Sequence, residues 1–134
     1  VKLLICGSRD FNDFDFMSRR LDEYLSSADL SKIEIVSGGA MGTDTLAERY
    51  ARENNIQFTK FPAEWDRYGR SAGFIRNDEM AKYCSGPKNT CVAFWDGSSS
   101  GTKGMMKSAL RQRMSIVKVL YKKEALCENA SPPT

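Results

Sequence analysis

Residues 33–44 read Ile33-Glu34-Ile35-Val36-Ser37-Gly38-Gly39-Ala40-Met41-Gly42-Thr43-Asp44. Ile33, Ile35 and Val36 are apolar and β-branched, which favours a strand. Glycines follow at once. Leu46, Ala47, Tyr50 and Ala51 then recur on one face of a helix. A strand that turns through glycines into a helix is the repeating unit of a parallel sheet covered by helices. Glycines let the backbone turn tightly and approach a ligand. The helix that follows offers amide donors and a positive dipole end, which suit phosphate. The loop is neither a Walker loop nor a G-x-G-x-x-G, so tight strand–helix packing accounts for it equally well.

The same alternation extends in both directions. Lys2 to Cys6 reads as a first strand. Phe14, Met17, Leu21, Leu25 and Ala28 follow with helical spacing, and Asn12 or Asp13 can cap that helix. Ile56 to Phe61 is a third strand, stopped by Pro62. Ala63 to Gly73 reads as a polar, aromatic loop, and Phe74 to Cys84 as a helix opened by Arg76 and Asn77. Thr90 to Trp95 is a fourth strand, Asp96 to Gly104 a second glycine- and serine-rich loop, Met105 to Arg113 a helix, and Ile116 to Tyr121 a fifth strand. The expected fold is α/β: a single Rossmann-like, three-layer domain over residues 1–123, with a mainly parallel sheet of about five strands. Residues 124–134 are expected to form a C-terminal tail.

The 134 residues suffice for one domain with a real core, and 41% are hydrophobic. No apolar run approaches the roughly eighteen residues of a membrane span. The first residues read as a strand rather than a signal peptide. Cys6, Cys84, Cys91 and Cys127 are scattered, with no C-x-x-C pair, and read as reduced thiols in the cytoplasm. Spacing alone leaves a Cys84–Cys91 disulfide open. The chain has no histidine. That removes a Ser-His-Asp triad, a Cys-His pair and an imidazole base, and with the thiol spacing it argues against a zinc site. Neither a metal nor a cofactor is expected. A net charge of +3 suits a small anion. Lys103, Lys107, Arg111 and Arg113 put charge on one helix, but such faces are usually just solvated, so a nucleic-acid partner is not expected.

Three loops that each follow a strand should open on one edge of the sheet, where open α/β sheets bind ligands. The candidate ligand-binding residues are Gly7, Ser8 and Arg9 after the first strand; Gly38, Gly39, Ala40, Gly42, Thr43 and Asp44 after the second; and Asp96, Gly97, Ser98, Gly101 and Thr102 after the fourth. Arg76 and Asn77 join them from the third helical segment. Arginine is suited to bidentate phosphate contact. The long loop adds Trp65, Tyr68, Arg67 and Arg70: an aromatic ring there could stack on a base, or Trp65 could simply cover the core. Thr45-x-x-Glu48 fits a capping box, which is the preferred reading of Glu48. If there is catalysis, Asp44, Arg76 and Asp96 are the candidates.

Gly7-Ser8-Arg9, Ser37 to Asp44, Arg76-Asn77 with Met80, and Asp96-Gly97-Ser98 leading to Gly101-Thr102 together resemble the YspA-like branch of the SLOG superfamily. That superfamily joins the DNA-processing protein DprA with the LOG phosphoribohydrolases. The resemblance spans residues 1–121. It implies a Rossmann-like sheet, a small nucleotide or nucleotide-derived phosphorylated ligand at the glycine loops, and a homodimer. The leading expectation is a sensor or ligand-binding role. The alternatives are a LOG-like hydrolase acting on a glycosidic or phosphate bond, and a DprA-like nucleic-acid binder. LOG enzymes carry P-G-G-x-G-T-x-x-E with a catalytic glutamate. Here Asp96 to Ser100 replaces its start, and the glutamate position is Met105. The arginine of the LOG motif R-K-x-x-M is matched by Arg76.

Overall fold

The computed structural model describes residues 1–121. Five strands form one sheet: β1 (Lys2–Gly7), β2 (Glu34–Ser37), β3 (Gln57–Lys60), β4 (Thr90–Trp95) and β5 (Ser115–Leu120). Their order is β3-β2-β1-β4-β5, and every neighbouring pair is parallel. The chain winds outward from β1 to β3, then crosses back to β4 and winds the other way. The reversal lies between β1 and β4, the point where such sheets leave a crevice beyond the strand ends.

Period-two alternation splits the core in two. Leu3 and Ile5 of β1, Ile35 of β2, and Val92 and Phe94 of β4 face one side. There they meet Met17 and Leu21 of α1 (Phe14–Tyr24) and Ala47, Tyr50 and Ala51 of α2 (Thr43–Glu53). Leu4, Cys6, Val36, Cys91 and Ala93 face the other side. They meet Met80 and Ala81 of α4 (Ala72–Tyr83), and Met105, Met106 and Ala109 of α5 (Ser100–Arg111). Each large apolar side chain buried this way contributes roughly 1.5–3 kcal/mol. The result is the expected three-layer, Rossmann-like arrangement, and the sheet is wholly parallel.

Local chemistry sets the element ends. Asp13 caps α1 by accepting from Phe16 N at 3.0 Å. Phe11 is buried and stacks on Phe94, with ring centroids 5.4 Å apart. That contact ties down the segment between β1 and α1, and with it the position of Arg9.

Several boundaries differ from the sequence reading. The helix expected from Met105 starts at Ser100, so the second loop shrinks to residues 96–99. Asp96 explains this: its Oδ1 accepts from Ser98 N and Ser99 N, both at 2.9 Å, and turns the chain directly into the helix. The segment read as a loop from Ala63 to Gly73 contains α3 (Trp65–Tyr68) and a 3₁₀ turn (Gly69–Ser71). α4 then begins at Ala72, so Arg76 and Asn77 sit in its second turn rather than opening it. The Thr45–Glu48 capping box does not form, because the N-cap of α2 is Gly42, three residues before Thr45, and the helix starts at Thr43. Thr45 Oγ1 donates to Ala40 O instead, and Glu48 pairs with Lys60 at 3.2 Å.

Cys6, Cys84 and Cys91 are free, buried thiols, so the Cys84–Cys91 disulfide is absent. Cys6 Sγ lies 3.8 Å from Cys91 Sγ. That contact, then burial, holds the Cys6 thiol well above its ordinary range, and burial pushes Cys84 up to about 12. Cys127 and the 124–134 segment lie outside the described residues. No helix among the described residues is long and apolar enough to cross a membrane.

Candidate functional site

The loops after β1, β2 and β4 do open on one edge. Together with α3 and α4 they enclose a cleft of about 720 Å³. Its floor is Cys6, Met80 and Met105, all buried. Gly7 and Arg9 reach it from β1, Gly38, Gly39, Ala40, Met41 and Asp44 from the loop after β2, and Arg76 and Asn77 from α4. Ser99, Ser100, Gly101 and Thr102 enter from the start of α5. Pro62, Ala63, Trp65, Arg70, Gly73 and Phe74 complete the lining.

The remaining expected residues lie behind this surface. Ser8 is buried, and its carbonyl accepts from Thr43 N at 3.3 Å and from Thr43 Oγ1 at 2.9 Å. Thr43 is fully buried. Gly42 packs on the β1 loop, where an added Cβ would fall 2.2 Å from Arg9 O. Asp96, Gly97 and Ser98 form the turn that launches α5 and do not line the cleft. So Ser8, Gly42 and Thr43 join the two loops to each other, and Asp96 sets the direction of α5. Ser99 and Ser100 are two of the three serines of the second glycine- and serine-rich loop. The early helix start brings them to the surface of the cleft.

Asp44 organises the loop after β2. Its Oδ1 accepts from Ser37 Oγ at 2.8 Å and its Oδ2 from Ala40 N at 3.0 Å, with Gly38 N a further donor. The α2 end is thus already supplied with an anion by its own first turn. Arg76 lies on the other side of Gly38. Its Nη1 donates to Gly38 O at 2.6 Å, and its Nε to Asn77 Oδ1 at 3.1 Å. A Cβ on Gly38 would fall 2.5 Å from Arg76 Nη1. Burial lowers the Arg76 pKa and Arg9 adds to the shift, while Asp44 opposes it. The guanidinium stays charged.

Burial raises the Asp44 pKa above the ordinary carboxylate value and outweighs the three donors and Arg76, which pull it down. A pKa raised in the native state means that the folded protein holds the proton longer than the unfolded chain. Stability should therefore fall as pH rises from the unfolded value of about 3.9 through the native one. Asp44→Asn keeps the shape and removes this dependence. Urea midpoints measured from about pH 3.5 to 6.5 should shift in favour of the variant as pH rises. A difference that stays constant, or runs the other way, would contradict the assignment.

α5 contrasts with α2. It has no acidic residue in its first turn, and its N-cap Ser99 makes no side-chain cap bond. Asp96 takes the amides of Ser98 and Ser99, which precede the helix, so the first-turn amides of Ser100, Gly101 and Thr102 begin at the cleft wall. Arg9, Arg70 and Arg76 face the cleft against one carboxylate, Asp44, so the balance favours an anion. Among the described residues, no cluster of acids and thiols is arranged to hold a metal ion.

Comparison with known proteins fits this architecture. The gene 61 protein of Mycobacterium phage D29 is 31% identical over 121 residues, which cover 87% of this chain and 94% of the phage protein. The sequence profile of the YspA, cpYpsA-related SLOG family matches residues 1–68, from β1 through the glycine loop to α3. The chain belongs to the YspA, cpYpsA-related SLOG family.

Proposed function

We propose that the cleft binds a small phosphorylated ligand of the nucleotide class, with its phosphate at the N-terminal end of α5. Family membership suggests nucleotide-related binding or processing. The observation that carries the finer reading is the asymmetry between the two helix ends. α2 carries an acid, Asp44, within its own first turn, which offsets the dipole at that end. α5 starts at the cleft with no acid in its first turn and no side-chain cap from Ser99, and Asp96, ahead of the helix, takes only the Ser98 and Ser99 amides. A helix start of that kind favours phosphate. Gly101 helps, because an added Cβ there would meet nothing within 4 Å, so the space beside it is open. Titration of nucleoside 5′-phosphates against the matching nucleosides tests the reading. Removing the phosphate should weaken binding at least tenfold, about 1.4 kcal/mol. Equal affinity for both would overturn the phosphate anchor.

A second reading, hydrolysis, is favoured by one observation: Asp44 lines the cleft and is partly desolvated. Breaking an N-glycosidic bond develops positive charge on the sugar, which a carboxylate stabilises. The position that carries glutamate in the resembling enzymes is Met105, buried and uncharged. Asp96 is occupied in the turn before α5. We therefore expect no efficient release of base from AMP, GMP, CMP or UMP, followed by chromatography. Robust release that is lost in both Arg76→Ala and Asp44→Asn would instead make the protein an enzyme.

We also carry forward the homodimer implied by the family resemblance. Light scattering at high concentration should give twice the chain mass, and monomer alone would reject it.

A further inference from the structure

Three apolar side chains stand in water at the mouth of the cleft. Met41 is 69% exposed, Trp65 57% and Phe74 71%. All three line it. Neither aromatic residue belongs to either buried core cluster or to the partly buried side chains packed against them. Trp65 opens α3, and Phe74 lies in the first turn of α4. Gly73 sits beside the indole: an added Cβ there would be 3.7 Å from Trp65 Cη2. That is ordinary van der Waals distance, so the start of α4 packs beside the indole. Exposed apolar surface costs hydration free energy, and when it gathers at a concave site it marks a contact. The amide donors of the cleft come from a different element, the start of α5.

We propose that Trp65 and Phe74 are the seat of a nucleobase, which stacks on this aromatic wall while the phosphate sits at α5. The inference rests on the nucleotide reading of the cleft and adds where the ligand's planar end goes. A flat heteroaromatic ring covers exposed aromatic surface well, and a bare sugar phosphate has no such face. Arg70, on the same lining, can add a guanidinium to the stack. Stacking tolerates any base, so the wall selects for bases over bare sugar phosphates rather than among the bases.

The test compares AMP and GMP with ribose 5-phosphate by calorimetry and by tryptophan emission. The nucleotides should bind about tenfold or more tightly than ribose 5-phosphate. They should also quench emission saturably, and ribose 5-phosphate should not. Trp65→Leu should abolish the quenching, with Trp95 still present. Trp65→Leu and Phe74→Leu should each weaken the nucleotides several-fold and leave ribose 5-phosphate unchanged. Equal affinity of nucleotide and ribose 5-phosphate, or nucleotide affinity unaltered in both variants, would overturn the stacking proposal and leave the phosphate reading standing. Failure of every one of these ligands to bind would overturn both.

Discussion

Gly42→Ala is expected to destabilise the protein by about 3–5 kcal/mol. Gly42 is the N-cap of α2 and holds φ 75° and ψ −121°, a conformation that only glycine visits readily. The new Cβ would also fall 2.2 Å from Arg9 O, 2.4 Å from Arg9 C and 2.7 Å from Ser8 O. All three are backbone atoms, so no rotamer change relieves the clash. The β1 loop would have to move, and it is pinned by the bonds from Thr43 to Ser8 O and by the Phe11–Phe94 stack. Single domains are typically stable by only about 5–15 kcal/mol, so this loss is a large share of the total. Gly97→Ala is the control. Gly97 also has positive φ, 92°, but nothing lies within 4 Å of its added Cβ. It should cost only about 1–2 kcal/mol. Urea unfolding of both variants checks the ranking, and equal losses would contradict it.

The fold was largely legible because its strands are. Leu3 to Cys6 and Cys91 to Phe94 are buried on both faces, so they read as short continuous apolar runs, and Gly7-Ser8 and Asp96-Gly97 mark where those strands end. What was lost lay at the helix starts. Ser100 to Gly104 is rich in serine and glycine, poor helix formers, and reads as loop. The helix forms there because Asp96 turns the chain and Met105, Met106 and Ala109 bury one face. The Thr45–Glu48 pattern fitted a capping box, but glycine at position 42 already serves as the cap residue, and pattern alone does not set the register.

For the candidate site, the sequence marked the right loops but not which residues face the cleft. A glycine that bends the chain behind the surface, such as Gly42, looks the same in sequence as Gly39, which lines it. Ser8 and Thr43 carry hydroxyls suited to phosphate, yet both residues are buried behind the cleft, where Thr43 Oγ1 donates to the Ser8 carbonyl and ties one loop to the other. Trp65 and Phe74 were harder still to place. Their exposure follows from α3 and the early start of α4, neither of which has a strong local signal.

The central claim is that phosphate sits at the start of α5, and Gly101→Val separates it from effects on folding. Gly101 lies in the first turn of α5 and lines the cleft, and an added Cβ meets nothing within 4 Å. Valine is a better helix residue than glycine by a few tenths of a kcal/mol, so stability should hold or rise slightly. The branched side chain would, however, occupy the space beside the first-turn amides, where the phosphate is placed. The most direct measurement is a calorimetric titration of the wild type and Gly101→Val with the same nucleoside 5′-phosphates, with melting temperatures recorded alongside. The expected result is saturable binding by the wild type, at least tenfold weaker binding by the variant, about 1.4 kcal/mol or more, and an unchanged melting temperature. Equal binding by the two proteins, or no binding by the wild type across the panel, would contradict the account.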